Sequence, residues 1–524
     1  MISNHKRVNL TQPPIEDAAM LLRYSDHLAT TGQITWNVGQ KPVEGATDFL
    51  YMATVGEVAR VFHEDAMLAC RQVLYLCCLA LAATVFLMAR FAAGANRWLA
   101  FAMALYVVSA GGWTYVTSCF GAPFIMLFVA LACGLGCGLI AGRLRPSWGV
   151  SILYSLFALM IGLTRPEGNF MAILLTCAIL IMLGIRESRR LIVSFIGVMT
   201  LLGGAYFLWR WHYFGYLLPN PFYVKGGGHL HLKGLTDSVQ NVVKMSLPLL
   251  PLCMLGLRSS VGRKRLMALA LPVVAYTCLF IFLSHENNHL MRFQMPVLPV
   301  ILLFLPLLAE GTVADLHLMP AALTLWVRRA MVAAGVAYLL LACSYIAKLY
   351  EGRLTESSAM AFARHLSKFS GRGYTMAVTE AGQFPYFSHW NAIDTLGLND
   401  AEIAHHGISE QYLDESKPEL IMYHHAPVPS AAGLVHADLG ATQRYLEALR
   451  VMHHYAVSNG YILAASYGGD PCSLNVFYVK PNTPDTEEIV SYLRNTPYYF
   501  LDNGLLSADY RNGVRPECKL PDIE

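Results

Sequence analysis

Between residues 73 and 346 the chain runs through ten apolar stretches separated by short loops. They are approximately Val73–Ala89, Trp98–Val116, Phe124–Gly142, Val150–Leu163, Phe170–Ile185, Leu191–Trp209, Met245–Leu257, Leu266–Leu283, Phe293–Leu308 and Ala330–Ile346. A helix of about 20 residues crosses the hydrocarbon of a bilayer, with a lower limit near 17. In lipid every backbone N–H and C=O must be bonded inside its own segment, so apolar stretches of this length are confined to membrane helices. The fourth and seventh stretches are short; they borrow flanking residues or are broken helices lining a cavity. Only 14% of the residues are charged, against about 25% in soluble domains. The net charge of +3 gives no reason to expect a nucleic acid partner.

Alternate loops divide the cations. One set carries Arg97, then Arg143 and Arg145, then Arg186, Arg189 and Arg190, then Arg258, Arg263, Lys264 and Arg265, then Arg328 and Arg329. The other set carries fewer, with Arg165, Lys225, Lys233 and Arg292 each inside a distinctive motif. The positive-inside rule makes the first set cytoplasmic. Residues 1–70, and everything after about 347, then lie outside the plasma membrane. Ten spans with both ends outside leave the first 70 residues to be exported with no preceding helix. A further membrane helix upstream of Met1 is therefore expected, giving 10–11 spans.

After Ile346 the composition turns soluble. Glu356–Phe369 reads as an amphipathic helix, Thr375–Thr379, Leu420–Tyr423, Tyr461–Ala465 and Asn475–Val479 as strands, and Thr442–Tyr455 and Pro484–Leu493 as helices. Alternating strands and helices predict a small α/β domain over 348–524. Cys472 and Cys518, the two cysteines of this region, are expected to pair in an oxidising compartment.

The stretch before the first span, Ile15 to Leu50, is polar and acidic at its head. Pro13-Pro14 blocks a helix from running through. Met20, Leu21, Tyr24 and Leu28 then recur at helical spacing up to Gly32, which predicts a helix on the membrane surface, followed by a loop. The spaced residues Glu16-Asp17-Ala18, Arg23-Tyr24, Leu28, Gly32, Asn37, Gly39, Val43-Glu44-Gly45 and Thr47 form a pattern that resembles the first extracytoplasmic loop of a bacterial family. That family comprises multi-pass GT-C glycosyltransferases similar to the mycobacterial terminal arabinofuranosyltransferase. Its members usually open Asp-Asp-Ala, where this chain has Glu16. The segment 380–404 and three loops between also resemble the family.

The resemblance implies a GT-C-like helical bundle with an extracytoplasmic α/β domain. It implies an inverting enzyme that moves a sugar, an arabinofuranose-like pentose as the single best expectation, from a polyprenyl-phosphate donor. The acceptor would be a hydroxyl of an extracytoplasmic glycan, lipid or protein. Asp17 would be the base and Glu16 a helper or metal ligand; a divalent cation is possible and its identity is open. Arg165, Lys225 and Arg292 would hold the donor phosphate. Arg23, Glu167, Asn220, Tyr223 and His289 complete the expected substrate site.

Each motif also has a plainer reading. Glu16-Asp17 could be a solvated pair at a helix N-terminus, where the macrodipole favours acids. Asp17 is expected at a loop–helix junction facing water, with no core contact. Thr164-Arg165-Pro166-Glu167-Gly168 could be an internal Arg165–Glu167 pair, because an Arg near lipid is costly without a partner. Leu218-Pro219-Asn220-Pro221-Phe222-Tyr223-Val224-Lys225 could be an interfacial aromatic belt with a headgroup lysine; the glycines at 226–228 read as a hinge. His285-Glu286-Asn287-Asn288-His289 formally matches a zinc-protease pattern, but two consecutive Asn disfavour the helix it needs. The His405-His406, His424-His425 and His453-His454 pairs read as surface or packing residues, as do His229 and His231. A flippase would show polar residues mid-span, which are almost absent. A non-enzymatic scaffold would leave the clustering of acids and cations on one side unexplained.

Overall fold

A computed structural model describes residues 13–226, 230–254, 257, 260–282, 288–314, 321–348, 359–425, 439–470, 473–495, 499–500 and 504–505. Cys472, Cys518, His285, Glu286, His229 and Gly227-Gly228 lie outside the described residues, and with them the expected disulfide and most of the zinc-like pattern.

Among the described residues five helices are long and apolar enough to cross a membrane: Ala66–Ala92, Arg97–Ser118, Ala122–Ile140, Arg189–Phe214 and Ser260–Ile281. Shorter apolar helices fill Trp148–Thr164, Gly168–Leu183, Val297–Glu310 and Val332–Tyr345. The last belongs to the helix Ala321–Lys348. The seventh stretch takes the broken form. An amphipathic helix Leu232–Ser246 gives way to a tight turn at Leu247–Leu249 and a short helix Leu250–Met254. Pro248 is what stops it: proline supplies no N–H to continue the ladder. The ends of this broken segment lie at opposite ends of the bundle. The His231 N–H donates to Ile281 O at 2.7 Å, beside the sheet domain, while Arg265, soon after it, reaches Glu310 at the far end.

The first helix, Glu16–Thr31, carries Glu16 and Asp17 in its first turn, where the dipole stabilises acids. Gly32, at φ 73°, closes it by donating to Leu28 O, a left-handed cap that glycine adopts without strain. A second helix, Phe49–Phe62, packs beside it.

The α/β domain holds a five-stranded sheet in the order β2-β1-β3-β5-β4. Its strands are β1 (Thr375–Val378), β2 (Asn391–Asp394), β3 (Leu420–His425), β4 (Ile462–Asp470) and β5 (Ser473–Val479). β1 runs parallel to β2 and β3, and β5 antiparallel to β3 and β4. Strand β2 was not anticipated: Asn391 and Asp394 are residues depleted in strands, which leaves only Ala392 and Ile393 between them as a strand signal. His453 and His454 lie on the helix Leu439–Ser458, which covers the helix expected at Thr442–Tyr455. The expected helix at 356–369 appears as Ala359–Leu366 with a tight turn following.

The first helix and its loop clamp this sheet domain to the bundle. Arg23 is buried and donates to four acceptors: Trp36 O at 2.8 Å, Asn37 Oδ1 at 3.0 Å, Pro385 O at 2.5 Å and Trp390 O at 2.8 Å. Trp36 Nε1 and Asn37 Nδ2 both reach Ala392 O on β2. A Cβ on Gly45 would lie 1.9 Å from Asn399 Oδ1, so a side chain at that crossing would have to displace the Asn399 amide. Replacing Arg23 with Ala strands these buried acceptors, at roughly 1–3 kcal/mol for each group left unpaired. Arg23→Ala is therefore expected to melt at a clearly lower temperature in detergent and to expose the sheet domain to limited proteolysis. Wild-type proteolytic resistance in this variant would contradict the clamp.

Candidate active site

One cavity of about 420 Å³ lies where the first helix, the membrane bundle and the sheet domain meet. Three carboxylates line it, Asp17, Asp48 and Glu167, together with three cations, Arg165, Lys225 and Arg292. They come from segments far apart in sequence, so only the fold collects them.

Arg292 Nη2 lies 2.5 Å from Asp17 Oδ2. The guanidinium is also stacked between rings, 4.1 Å from the Phe120 centroid and 4.9 Å from Phe293. The backbone just before it is unusual. Leu290 and Met291 take φ of 60° and 57°, a left-handed conformation that costs an ordinary residue about 1–2 kcal/mol. The Tyr115 hydroxyl donates to Leu290 O and helps hold this turn. The turn aims Arg292 into the cavity. Burial by itself pushes the Asp17 carboxyl up, but Arg292 and then Lys225 outweigh it and hold Asp17 below its ordinary value.

Arg165 is committed elsewhere. Its Nη1 lies 2.7 Å from Asp48 Oδ1 and its Nε 2.6 Å from Glu167 Oε1, and its guanidinium rests 4.8 Å from the Phe293 ring. Burial pushes Asp48 up while Arg165 pulls it down, with a net rise. The internal Arg165–Glu167 pair is therefore present, joined by a second acid, Asp48, that sequence reasoning did not select. Its signal was available: Asp48 closes the Val43–Thr47 motif, directly before a helix.

Pro219, Pro221, Phe222 and Lys225 reach the cavity from the Leu-Pro-Asn-Pro stretch. The rest of the motif latches it in place. The Asn220 N–H donates to Glu44 O at 3.0 Å and Asn220 Nδ2 to Gly397 O at 3.3 Å. Tyr223 packs on the sheet domain's His405, with ring centroids 4.4 Å apart. Asn220 and Tyr223 thus position Lys225 and do not line the cavity themselves.

Glu16, Arg23 and His289 are also absent from the lining among the described residues. Arg23 is the clamp described above. His289 stacks against Phe120 at 6.4 Å and lies near Asp17 electrostatically. Glu16 points away from Asp17 into the sheet domain, where its Oε1 accepts from Gly382 N at 2.5 Å and Gln383 N at 3.0 Å. Adjacent residues on a helix are about 100° apart, so neighbours in sequence face different partners. Asp17 itself does not face open water free of contacts; it is paired. Among the described residues no group of three or more His, Cys, Asp or Glu is arranged to hold a metal ion.

Burial and the nearby Glu380 carboxylate push the Glu16 carboxyl up, and burial does the same to Glu380. A carboxyl whose folded value is raised contributes full stability below its unfolded value, about 4.3, and loses it as pH rises through the folded value. The clamp is therefore expected to weaken towards alkaline pH. Glu16→Gln, which keeps an acceptor oxygen for both backbone N–H groups, is expected to flatten that dependence. Identical melting curves against pH for both proteins would refute this.

Comparison with known proteins adds the following. Residues 345–483 match a domain of unknown function, DUF8728. No curated protein matches the chain. ArnT from Cupriavidus metallidurans is similar in structure. Its apo form has a TM-score of 0.53 at 11% identity, over 89% of this chain and 93% of that one. The form bound to undecaprenyl phosphate has a TM-score of 0.56 at 11% identity, over 90% and 94%. At this identity the likeness establishes the fold: a GT-C-like helical membrane bundle with a small C-terminal sheet domain.

Proposed function

We propose that this protein is a plasma-membrane glycosyltransferase that moves a sugar from a polyprenyl-phosphate donor to an extracytoplasmic hydroxyl, with inversion. One observation carries the reading: the cavity is amphiphilic. Asp17, Arg292 and Lys225 share it with Leu218, Phe222, Phe280 and Phe282, and Phe222 and Phe282 are exposed at its edge. A lipid phosphate needs both halves, cations for its headgroup and an apolar path for its chain. ArnT, of the same fold, is known bound to such a lipid phosphate.

In this reading Arg292 and Lys225 take the donor phosphate, because Arg165 is already occupied by two carboxylates. The acceptor oxygen attacks the anomeric carbon from the face opposite the phosphate. The bond between that carbon and the phosphate oxygen breaks as the new glycosidic bond forms. Asp17 takes the hydroxyl proton, and the phosphate leaves with the bonding pair, neutralised by Arg292 and Lys225. The resemblance of the motifs favours a pentose such as arabinofuranose as the sugar, and a glycan, lipid or protein of the cell envelope as the acceptor. The sheet domain lies outside, over the reaction.

Incubating the purified protein with polyprenyl-phosphate sugars, and following transfer by mass spectrometry, tests the reading. Turnover of a lipid-linked donor supports it; failure of every pentosyl and hexosyl donor, with stable protein, rejects it. Lys225→Ala is expected to raise the donor KM roughly 10-fold or more, since a charge-assisted hydrogen bond contributes about 1.5–3 kcal/mol. Its effect should fall on KM rather than kcat if the contact is equally strong in ground and transition states. An unchanged donor KM would remove Lys225 from the site.

A further inference from the structure

The pattern His285-Glu286-Asn287-Asn288-His289 ends three residues before Arg292, and the proposed reaction gives no part to its asparagines. Asn288 has one in the structure. Its Oδ1 accepts from Phe293 N at 3.2 Å and its Nδ2 donates to Gln294 Oε1 at 2.8 Å. The same Gln294 Oε1 accepts from Asn241 Nδ2 at 3.4 Å, and Gln294 Nε2 donates to Ser238 Oγ at 3.2 Å. Asn241 and Ser238 stand on the helix Leu232–Ser246, the first half of the broken seventh stretch. Gln294 and Ser238 are fully buried.

An amide taken out of water is costly unless it is bonded, and polar partners from two separate segments meet this one. A buried polar network whose members are satisfied fixes one arrangement of the chains around it. Here it stands beside the strained turn. Leu290 and Met291 hold left-handed backbone, which persists only where surrounding bonds over-determine it. Phe293, between Arg292 and Gln294, has its N–H held by Asn288 and its carbonyl by the Tyr276 hydroxyl at 3.3 Å. Its ring lies 4.9 Å from the Arg292 guanidinium and 4.8 Å from that of Arg165. A shift of Phe293 would move the surface on which both cations rest.

We propose that Gln294 is the positioning residue of Arg292: bonded to Asn288 and Ser238, it holds the 290–293 turn in the arrangement that brings the guanidinium to Asp17. The part this plays in catalysis rests on the glycosyltransferase reading; the positioning does not, because the Arg292–Asp17 pair is present without substrate. In that reading Gln294 touches neither donor nor acceptor. It acts by placing the charge that meets the leaving phosphate and restrains Asp17.

A double-mutant cycle on melting temperature at neutral pH tests the positioning. Asp17→Asn breaks the ion pair and lowers melting in an otherwise unchanged protein. Gln294→Met is similar in length and removes the network. Independent sites add, whereas sites sharing a network do not. In the Gln294→Met background the loss caused by Asp17→Asn is expected to fall to about half or less, because the guanidinium is no longer held against the carboxylate. An undiminished loss overturns the proposal, since Gln294 would then serve the fold alone. If Gln294→Met does not fold, Ser238→Ala, which removes one bond and keeps the amide's other partners, decides by the same comparison.

Activity supplies a separate readout. The charged groups around Asp17 are Arg292, Lys225, His289, Asp48, Glu16 and Glu380. Burial pushes Asp17 up, and Arg292 is the largest of the charges that bring it below its ordinary value. Gln294→Met is expected to lower kcat/KM for the donor about 10-fold or more, as misplacement of a catalytic group does. Its acidic limb should move to higher pH by roughly one unit. Partial unfolding would lower the amplitude and leave the limb in place, so an unmoved limb overturns the part of Gln294 in catalysis. No transfer by the unmutated protein would reject the glycosyltransferase reading, and the melting cycle would still decide the positioning.

Discussion

Asp17→Asn is expected to lower the transfer rate by about 10²–10⁴-fold, the usual effect of losing a general base. The side chain keeps its shape, so cavity geometry should survive. Folding will not be wholly indifferent, because the carboxylate is paired with Arg292 at 2.5 Å. Arg292 holds Asp17 low, so Asp17 contributes stability that is present above the ordinary carboxylate value, about 3.9, and lost as pH falls through the folded value. The variant should therefore melt lower at neutral pH and show no such difference in strong acid. Activity and melting temperature measured together separate the two effects. A folded Asp17→Asn protein with near wild-type turnover would rule Asp17 out as the base.

The same ion pair has a consequence for the wild-type pH profile. A carboxylate held low by two cations is a weak base. When a donor phosphate takes Arg292 and Lys225, that restraint is reduced while burial, which pushes Asp17 up, remains. The acidic limb of kcat is thus expected at higher pH than the acidic limb of kcat/KM for the donor, because the first reports the complex and the second the free enzyme. Coincident limbs would show that the phosphate does not draw on the cations around Asp17.

Arg165→Ala is expected to act through stability. Its guanidinium stands between Asp48 and Glu167, and the three side chains are 14%, 15% and 9% exposed. Removing the cation leaves two carboxylates facing one another with little water. Breaking a buried pair in this way costs roughly 3–5 kcal/mol. Loss of the donor's phosphate contact would instead leave melting unchanged and raise the donor KM. The expected result is a large drop in melting temperature, with partial rescue by the triple change Arg165→Leu, Asp48→Asn and Glu167→Gln. A stable Arg165→Ala protein with only a raised KM would return Arg165 to the donor site.

The membrane bundle was legible because its cause is local. An apolar stretch must satisfy its own backbone in lipid, and each stretch declares itself without reference to the others. For the seventh span the short length left a borrowed and a broken form open, and the break at Pro248 decides between them. The surface helix was legible for the same reason, from Pro14 at one end and Gly32 at the other. Strand β2 was hidden because Asn391 and Asp394, both depleted in strands, frame only two apolar residues. The site divides along the same line. Asp17, Arg165, Glu167, Lys225 and Arg292 were expected from motifs that resemble a glycosyltransferase family, and the fold does bring them to one cavity. Glu16, Arg23, Asn220, Tyr223 and His289 were expected on the same resemblance, yet they face the sheet domain or pack against neighbouring rings.

Sequence alone determined that this chain is a helical membrane bundle with a small α/β domain, and which polar residues could not be left without a partner. It could not determine which partner each would find. That was decided when the sheet domain docked on the first helix: a turn of about 100° per residue sends Glu16 to Gly382 and Asp17 to Arg292. A charge near the membrane is compelled by its desolvation cost to find an opposite charge or a hydrogen bond, but only the packing of distant segments says whether that partner is the protein itself or a place kept for a substrate.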